Sequence, residues 1–136
     1  MKRGTAMLFC CTALSVIAAP ALAHGCEPDG ESNRYLIGGH YHGGCDVATE
    51  LAHGHGEAKG ADAYVGNWVN GKPDGRGVYT WEKGGRLDGS FSAGLADGPG
   101  VYVSAKGVRY EGTFTKGRLG TLKPEDCPAT RGPLNC

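Results

Sequence analysis

The sequence predicts an all-β fold, an elongated single-layer antiparallel sheet of successive β-hairpins with disulfide-bonded ends. Glycine makes up 25 of the 136 residues, more than twice its usual share of about 7%. These glycines recur with aromatic residues at a fixed spacing, and cysteines lie near both ends of the region that carries them. Beyond residue 23, no long stretch shows the apolar spacing of about 3.6 residues that is typical of an amphipathic helix.

Residues 1–23 have the features of a cleaved signal peptide. Two basic residues precede an apolar run at 6–19, and Ala21 and Ala23 supply the small residues of an A-x-A cleavage site. The run is shorter than the roughly 20 apolar residues that a membrane-spanning helix needs. We therefore expect cleavage rather than a permanent anchor, a periplasmic or secreted location, and a mature chain that begins at His24.

Four cysteines remain in this expected mature chain. An even number of cysteines in a short exported chain is typical of disulfide bonding. Four cysteines allow three pairings; we favour Cys26–Cys45 and Cys127–Cys136, because each pair lies at one end of the chain. A zinc site is the alternative, but the C-x-x-C spacing of such sites is missing from the sequence.

A repeat of 23 residues organises the region that follows residue 63. A degenerate copy precedes it, starting at Tyr41 with Cys45 in the place of Trp68, so the copies start near residues 41, 64, 87 and 110. We expect the recurring positions to form the core: Tyr64, Gly66, Trp68, Gly75, Gly77 and Tyr79, then Gly89, Phe91, Gly98, Gly100 and Tyr102, then Tyr110, Gly112 and Phe114.

This set of aromatic and glycine positions resembles the MORN (membrane occupation and recognition nexus) repeat family over residues 41–119. The sequence departs from the family at Leu87, where an aromatic residue is expected, at Pro99 between paired glycines, and in the third copy, which lacks its G-x-G. The resemblance implies a role in protein assembly or membrane association, often beside a catalytic domain. Because the array uses nearly all of the mature chain, we expect a non-catalytic binding or scaffolding module.

Elementary strand geometry leads to the same architecture. Tyr64, Gly66 and Trp68 fall on one face of a strand, because successive side chains point to opposite faces. Asn70-Gly71 predicts a two-residue hairpin turn of type I′. The glycines leave room for a ring from a neighbouring strand to lie against bare backbone. Because one hairpin cannot bury its own apolar face, the hairpins must stack, which leaves the opposite face and the turns for a partner.

Composition and motifs argue against nucleic-acid binding and against catalysis. Lys plus Arg equals Asp plus Glu at 14 each, whereas nucleic-acid binders carry a clustered basic excess. The chain has no G-x-S-x-G nucleophile motif, no phosphate-binding loop and no dinucleotide fingerprint. We therefore expect neither an enzyme nor a cofactor.

The histidines offer a second function, a periplasmic metal-binding protein. Imidazole nitrogen suits zinc or copper, and an H-x-H pair in a strand places both rings on one face. As the first mature residue, His24 would add its amine to a copper site. Exposed histidines in glycine-rich exported segments often hold no metal, so we predict no metal site and keep these as weak candidates: His24, His40, His42, His53 and His55.

The predicted repeat array (41–120) lies between an N-terminal disulfide-capped segment (24–40) and a C-terminal disulfide-bonded tail (121–136). Residues 64–120 carry 8 basic and 5 acidic residues. If the cations line one edge, they suit an anionic lipid or another acidic envelope surface. Keeping the sheet soluble is their simpler role, and an unidentified envelope protein is the preferred partner. These cations are Lys72, Arg76, Lys83, Arg86, Lys106, Arg109, Lys116 and Arg118.

Overall fold

The computed structural model describes residues 26, 28, 40–129 and 132–136. Seven antiparallel strands form one open sheet in chain order, which confirms the predicted all-β array of hairpins. The strands are β1 (His40–Asp46), β2 (Leu51–Lys59), β3 (Ala63–Val69), β4 (Lys72–Thr80), β5 (Arg86–Ser92), β6 (Leu95–Val103) and β7 (Arg109–Phe114). In this part of the chain the one helical element is a 3-10 turn at Pro124–Asp126.

The signal peptide expected at residues 1–23 lies outside the described residues. Within the residues that are described, no helix has the length and apolar character needed to cross a membrane.

The period of the sequence becomes the period of the hairpins. Strands β1, β3, β5 and β7 begin at residues 40, 63, 86 and 109, which are 23 residues apart. Asn70 and Gly71 join β3 to β4 with φ values of 50° and 76°, the two positive angles that a type I′ turn requires. Ala93 and Gly94 repeat this turn between β5 and β6, with φ values of 49° and 85°.

The sheet buries one face, called here the aromatic face, and exposes the other, called the outer face. Tyr64 and Trp68 of β3 are 0% and 1% exposed, whereas Val65 and Val69 of the same strand are 41% and 40% exposed. Tyr41 is partly buried against the core. The large buried side chains of the aromatic face are Tyr64, Trp68, Tyr79, Trp81, Leu87, Phe91, Tyr102, Tyr110 and Phe114.

Contacts between rings run along the whole aromatic face. Tyr64 packs edge-on against Trp68 with ring centroids 4.9 Å apart, and against Phe91 at 5.1 Å. Trp81 lies between Tyr79 (4.7 Å) and Tyr102 (5.5 Å). Each such pair adds about 0.5–1.5 kcal/mol beyond the area it buries, so the rings make a thin sheet cohesive.

Glycine makes room for these rings at one position of each G-x-G pair. A Cβ atom at Gly77 would lie 2.5 Å from Cζ of Tyr64, whose ring lies across the bare backbone. The expectation is wrong for Gly75 and Gly98, whose nearest atoms are outer-face side chains. Gly75 has a φ of 91°, in the left-handed region that favours glycine. It lies where β4 bulges against β3, so it serves the backbone of the bulge.

The tail after β7 folds back and completes the core of the aromatic face. Leu134 is 0% exposed within the aromatic cluster. The carbonyl oxygen of Pro133 accepts a hydrogen bond from the backbone N–H of Ala96 (2.9 Å), and the N–H of Asn135 donates to the carbonyl oxygen of Gly117 (2.8 Å). The tail thereby covers the end of the array, as a capping element of a repeat protein must.

Two cysteine pairs lie at disulfide distance and confirm the favoured pairing. Cys26 pairs with Cys45 of β1, with a Cα–Cα distance of 5.6 Å. Cys127 pairs with Cys136, with a Cα–Cα distance of 6.2 Å. The second pair closes the loop that carries Leu134 onto the aromatic face.

Candidate functional site

The aromatic face is filled by the protein itself. Each buried ring on it is at most 8% exposed, the value of Tyr110, and Leu134 of the tail belongs to the same cluster. The Trp68 indole N–H donates to the carbonyl oxygen of Gly56 (3.1 Å), so its polar atom is also satisfied within the sheet. A partner of the folded chain therefore meets the outer face, the turns or the tail.

A buried carboxylate anchors the tail. Asp126 is 8% exposed, its carboxylate accepts a hydrogen bond from the Tyr110 hydroxyl, and it lies 3.3 Å from Nζ of Lys106. Its carbonyl oxygen accepts a second hydrogen bond from the Tyr102 hydroxyl (2.9 Å). The Tyr110 hydrogen bond and the Lys106 charge lower the pKa of Asp126. Burial, with the nearby Asp126 charge, raises the pKa of Tyr102 to about 12.

We expect acid to loosen this anchor. Folding lowers the pKa of Asp126, so its contribution to stability is complete above the unfolded value of about 3.9. That contribution is lost as the pH falls through the lower, folded value. Urea unfolding at pH 7 and pH 2.5 should show a smaller pH dependence for Asp126→Asn than for the native chain. Exposed Asp97 supplies the control, Asp97→Asn; equal pH dependence in all three chains would contradict the role of Asp126.

Two rows of side chains cross the outer face from β1 to β7, and neighbours within a row lie directly opposite each other in adjacent strands. The carboxylate row consists of His42, Glu57, Val65, Val78, Asp88, Val101 and Glu111. The cation row consists of His40, Lys59, Ala63, Thr80, Arg86, Val103 and Arg109. With histidine neutral, every negative charge of the two rows lies in the first and every positive charge in the second.

Weak ion pairs hold most of these charges in place. They are solvent-exposed pairs, a class worth about 0–1 kcal/mol each, so a partner can replace them at little cost. Among the described residues, Arg86 has no carboxylate within ion-pair distance. Near Arg86 the outer face dips into an open groove with Val101 and Val103 in its lining. The ion pairs are Lys59–Glu57 (2.9 Å), Arg76–Asp88 (3.4 Å) and Arg109–Glu111 (2.8 Å).

The histidines are spread over the outer side of β1 and β2. His42 lies opposite Glu57, and His55 precedes Glu57 by two residues. Between His53 and His55, Gly54 has a φ of 81°, which interrupts the regular strand. Across the described residues, no three His, Cys, Asp or Glu side chains form a group that could hold a metal ion. His24 lies outside the described residues.

The cations of the repeats do not line one edge of the sheet, contrary to the expectation from the sequence. Lys72 and Lys116 lie at the end where β3 joins β4, whereas Lys83 and Lys106 lie in turns at the opposite end. Lys106 is also committed to buried Asp126. The arginines at 76, 86 and 109 lie on the outer face, beside carboxylates.

Sequence analysis misses buried residues that lie outside the period. Trp81 is 2% exposed, yet the positions one repeat away are Ala58 and Ser104. Asp62 is 2% exposed and accepts a hydrogen bond from the Tyr79 hydroxyl (2.7 Å). The sequence carries only 2 tryptophans, and that rarity is the one signal for Trp81. The tail residues Asp126 and Leu134 carry no such signal.

Comparison with known proteins supports the periodicity and the fold. The MORN repeat family model matches residues 64–86 and 88–109. These ranges run from β3 to the first residue of β7. No curated protein shows significant similarity to the chain. The chain is therefore a member of the MORN repeat family, and its matched repeats build the five central and C-terminal strands of the sheet up to Arg109.

Proposed function

We propose that this protein is an exported, non-catalytic module that binds a protein partner in the cell envelope through its outer face. MORN repeats are generally protein- or membrane-binding modules. One observation carries the choice of surface: rings and tail fill the aromatic face, while the outer face presents two ordered rows of charge and valine across all seven strands. The partner contacts these rows and leaves the core intact.

The distribution of charge favours a protein over an anionic lipid surface. Each cation of the cation row lies beside a carboxylate two residues along the same strand, as in Lys59 and Glu57. An anionic membrane would attract one row and repel the other, whereas a protein surface can offer both signs. Complementary charge of this kind sets the orientation of a partner and excludes wrong ones.

Photocrosslinking in the native envelope tests this proposal. A photoreactive amino acid at Val65 or Val101 of the outer face should form a discrete protein adduct. The same probe at Val47, which is 89% exposed in the β1–β2 turn, is the matched control and should not. Adducts from Val47 alone would overturn the proposal. So would the lack of protein adducts together with salt-sensitive sedimentation on anionic vesicles.

Export predicts a defined mass. Protein from the exported fraction should begin at His24 and be four hydrogens lighter than the reduced chain, because it carries two disulfides. Intact-mass measurement before and after reduction checks both features. A chain that still begins at Met1, or reduced cysteines in the native protein, would contradict export to an oxidising compartment.

A further inference from the structure

We propose that the outer face pairs with the outer face of a second copy of this chain, forming a twofold-symmetric dimer. The inference rests on the proposed function, because it names the partner of the same surface. It follows from the way charge is arranged in the two rows.

The charges of the two rows lie on only three strands. Strands β2, β5 and β7 each carry one carboxylate and one cation two residues apart: Glu57 with Lys59, Asp88 with Arg86, and Glu111 with Arg109. Strands β3, β4 and β6 carry uncharged pairs at the same positions: Val65 with Ala63, Val78 with Thr80, and Val101 with Val103. Each row therefore has one sign of charge, at the same three places.

A twofold axis that runs midway between the rows makes this surface complementary to itself. Rotation by 180° about that axis places the carboxylate row of one copy over the cation row of the other, strand upon equivalent strand. Asp88 then faces Arg86 of the second copy, and the reciprocal contact forms at the same time. The valines of β6 meet valines in the groove, and the same three strands supply all the charge contacts. Such reciprocity is the mark of an isologous interface.

The other face-to-face arrangement is much poorer. A twofold axis parallel to the strands would place β5 over β3, and β2 over β6. Arg86 and Asp88 would then face Val65 and Ala63, and their charges would lose water without gaining a partner, which is costly. The charge pattern therefore selects the axis that runs across the strands.

The face is large enough for a stable pair. Seven strands spaced about 4.8 Å apart, with some seven residues each at about 3.4 Å, span roughly 700 Å² on each copy. Two copies bury about 1,400 Å² together, within the usual range of about 1,200–2,000 Å² for specific interfaces. Arg86 lacks an ion-pair partner among the described residues of its own chain, and the dimer supplies one.

Charge reversal at one strand gives a sharp test. Arg86→Glu makes β5 wholly negative, Asp88→Arg makes it wholly positive, and symmetry doubles either clash. We expect each single variant to raise the dimer dissociation constant by about 100-fold or more, measured by sedimentation velocity. Mixing the two variants should restore a dimer that contains one chain of each. The double variant Arg86→Glu/Asp88→Arg should dimerise as the native chain does. Lys83→Glu, in the β4–β5 turn, is the control and should have no effect.

Unchanged association in both single variants, or a native chain that is monomeric at 100-fold higher concentration than in its envelope, would overturn the dimer. Thermal unfolding of each variant separates lost association from lost folding. The envelope crosslinks distinguish this failure from failure of the proposed function. An adduct from Val101 with the mass of two chains supports the dimer, whereas an adduct of any other mass keeps the proposed function and rejects the second copy as partner.

Discussion

Gly77→Ala should destabilise the protein by about 3 kcal/mol, at the upper end of the usual cost of overpacking a core. The added Cβ would lie 2.5 Å from Cζ of Tyr64, and the nearby atoms belong to a ring fixed by its neighbours. The Tyr64 hydroxyl donates to the carbonyl oxygen of Asn67 (3.0 Å), and the ring packs between Trp68 and Phe91. The ring therefore cannot give way without breaking these contacts. Urea unfolding monitored by tryptophan fluorescence measures the loss.

The repeat supplies its own controls for this substitution. Gly100 is the equivalent of Gly77 one period later, but Leu87 replaces the tyrosine there, and a Cβ at Gly100 has its nearest contact at 3.1 Å. Gly100→Ala should therefore cost about 1 kcal/mol, and Gly120→Ala, with no atom within 4 Å of its Cβ, should cost less than Gly100→Ala. In a Tyr64→Leu background the cost of Gly77→Ala should fall to that of Gly100→Ala. Equal costs at 77 and 100 would contradict the stacking of the Tyr64 ring on glycine.

Leu134→Ala should destabilise the protein by about 3 kcal/mol, within the range of about 2–5 kcal/mol for a buried leucine. Leu134 is 0% exposed although it lies two residues from the chain end, because the tail places it in the aromatic cluster. Its loss leaves a cavity next to the rings and weakens the hold of the tail on β6. Equilibrium unfolding measures the cost, and limited proteolysis should show earlier cleavage within residues 121–136.

Leu122→Ala is the matched control, since it makes the same chemical change in the same tail. Leu122 is only partly buried against the core, so its truncation should cost about 1 kcal/mol. If both variants lose the same stability, or if neither changes the protease sensitivity of the tail, then the tail does not complete the core as described.

The repeat made most of the sheet predictable. Alternation of Tyr64, Gly66 and Trp68 identified the buried face, and Asn70-Gly71 identified a turn, because both are local consequences of strand geometry. The seven strands, their order and the family follow from one period. The two disulfide pairs followed from their places at the chain ends.

Features that depend on long-range contacts were not predictable in the same way. Trp81 and Leu134 fall outside the period, and their burial results from the tail folding back over the sheet. The role of Gly75 was misassigned, because a glycine at a bulge and a glycine beneath a ring look the same in the sequence. The rows of the outer face appear only when the register of all seven strands is known, since each row takes one residue from each strand.

Carboxylate footprinting tests most directly the claim that the partner meets the outer face. A water-soluble carbodiimide labels accessible carboxylates, and mass spectrometry then compares protein labelled in its native envelope with the same protein labelled after dilution to the isolated chain. We predict that Glu57, Asp88 and Glu111 are labelled at least several-fold less in the envelope, while exposed Asp97 is labelled equally in both. Equal labelling of the three outer-face carboxylates, with protection confined to the tail or the turns, would contradict the account.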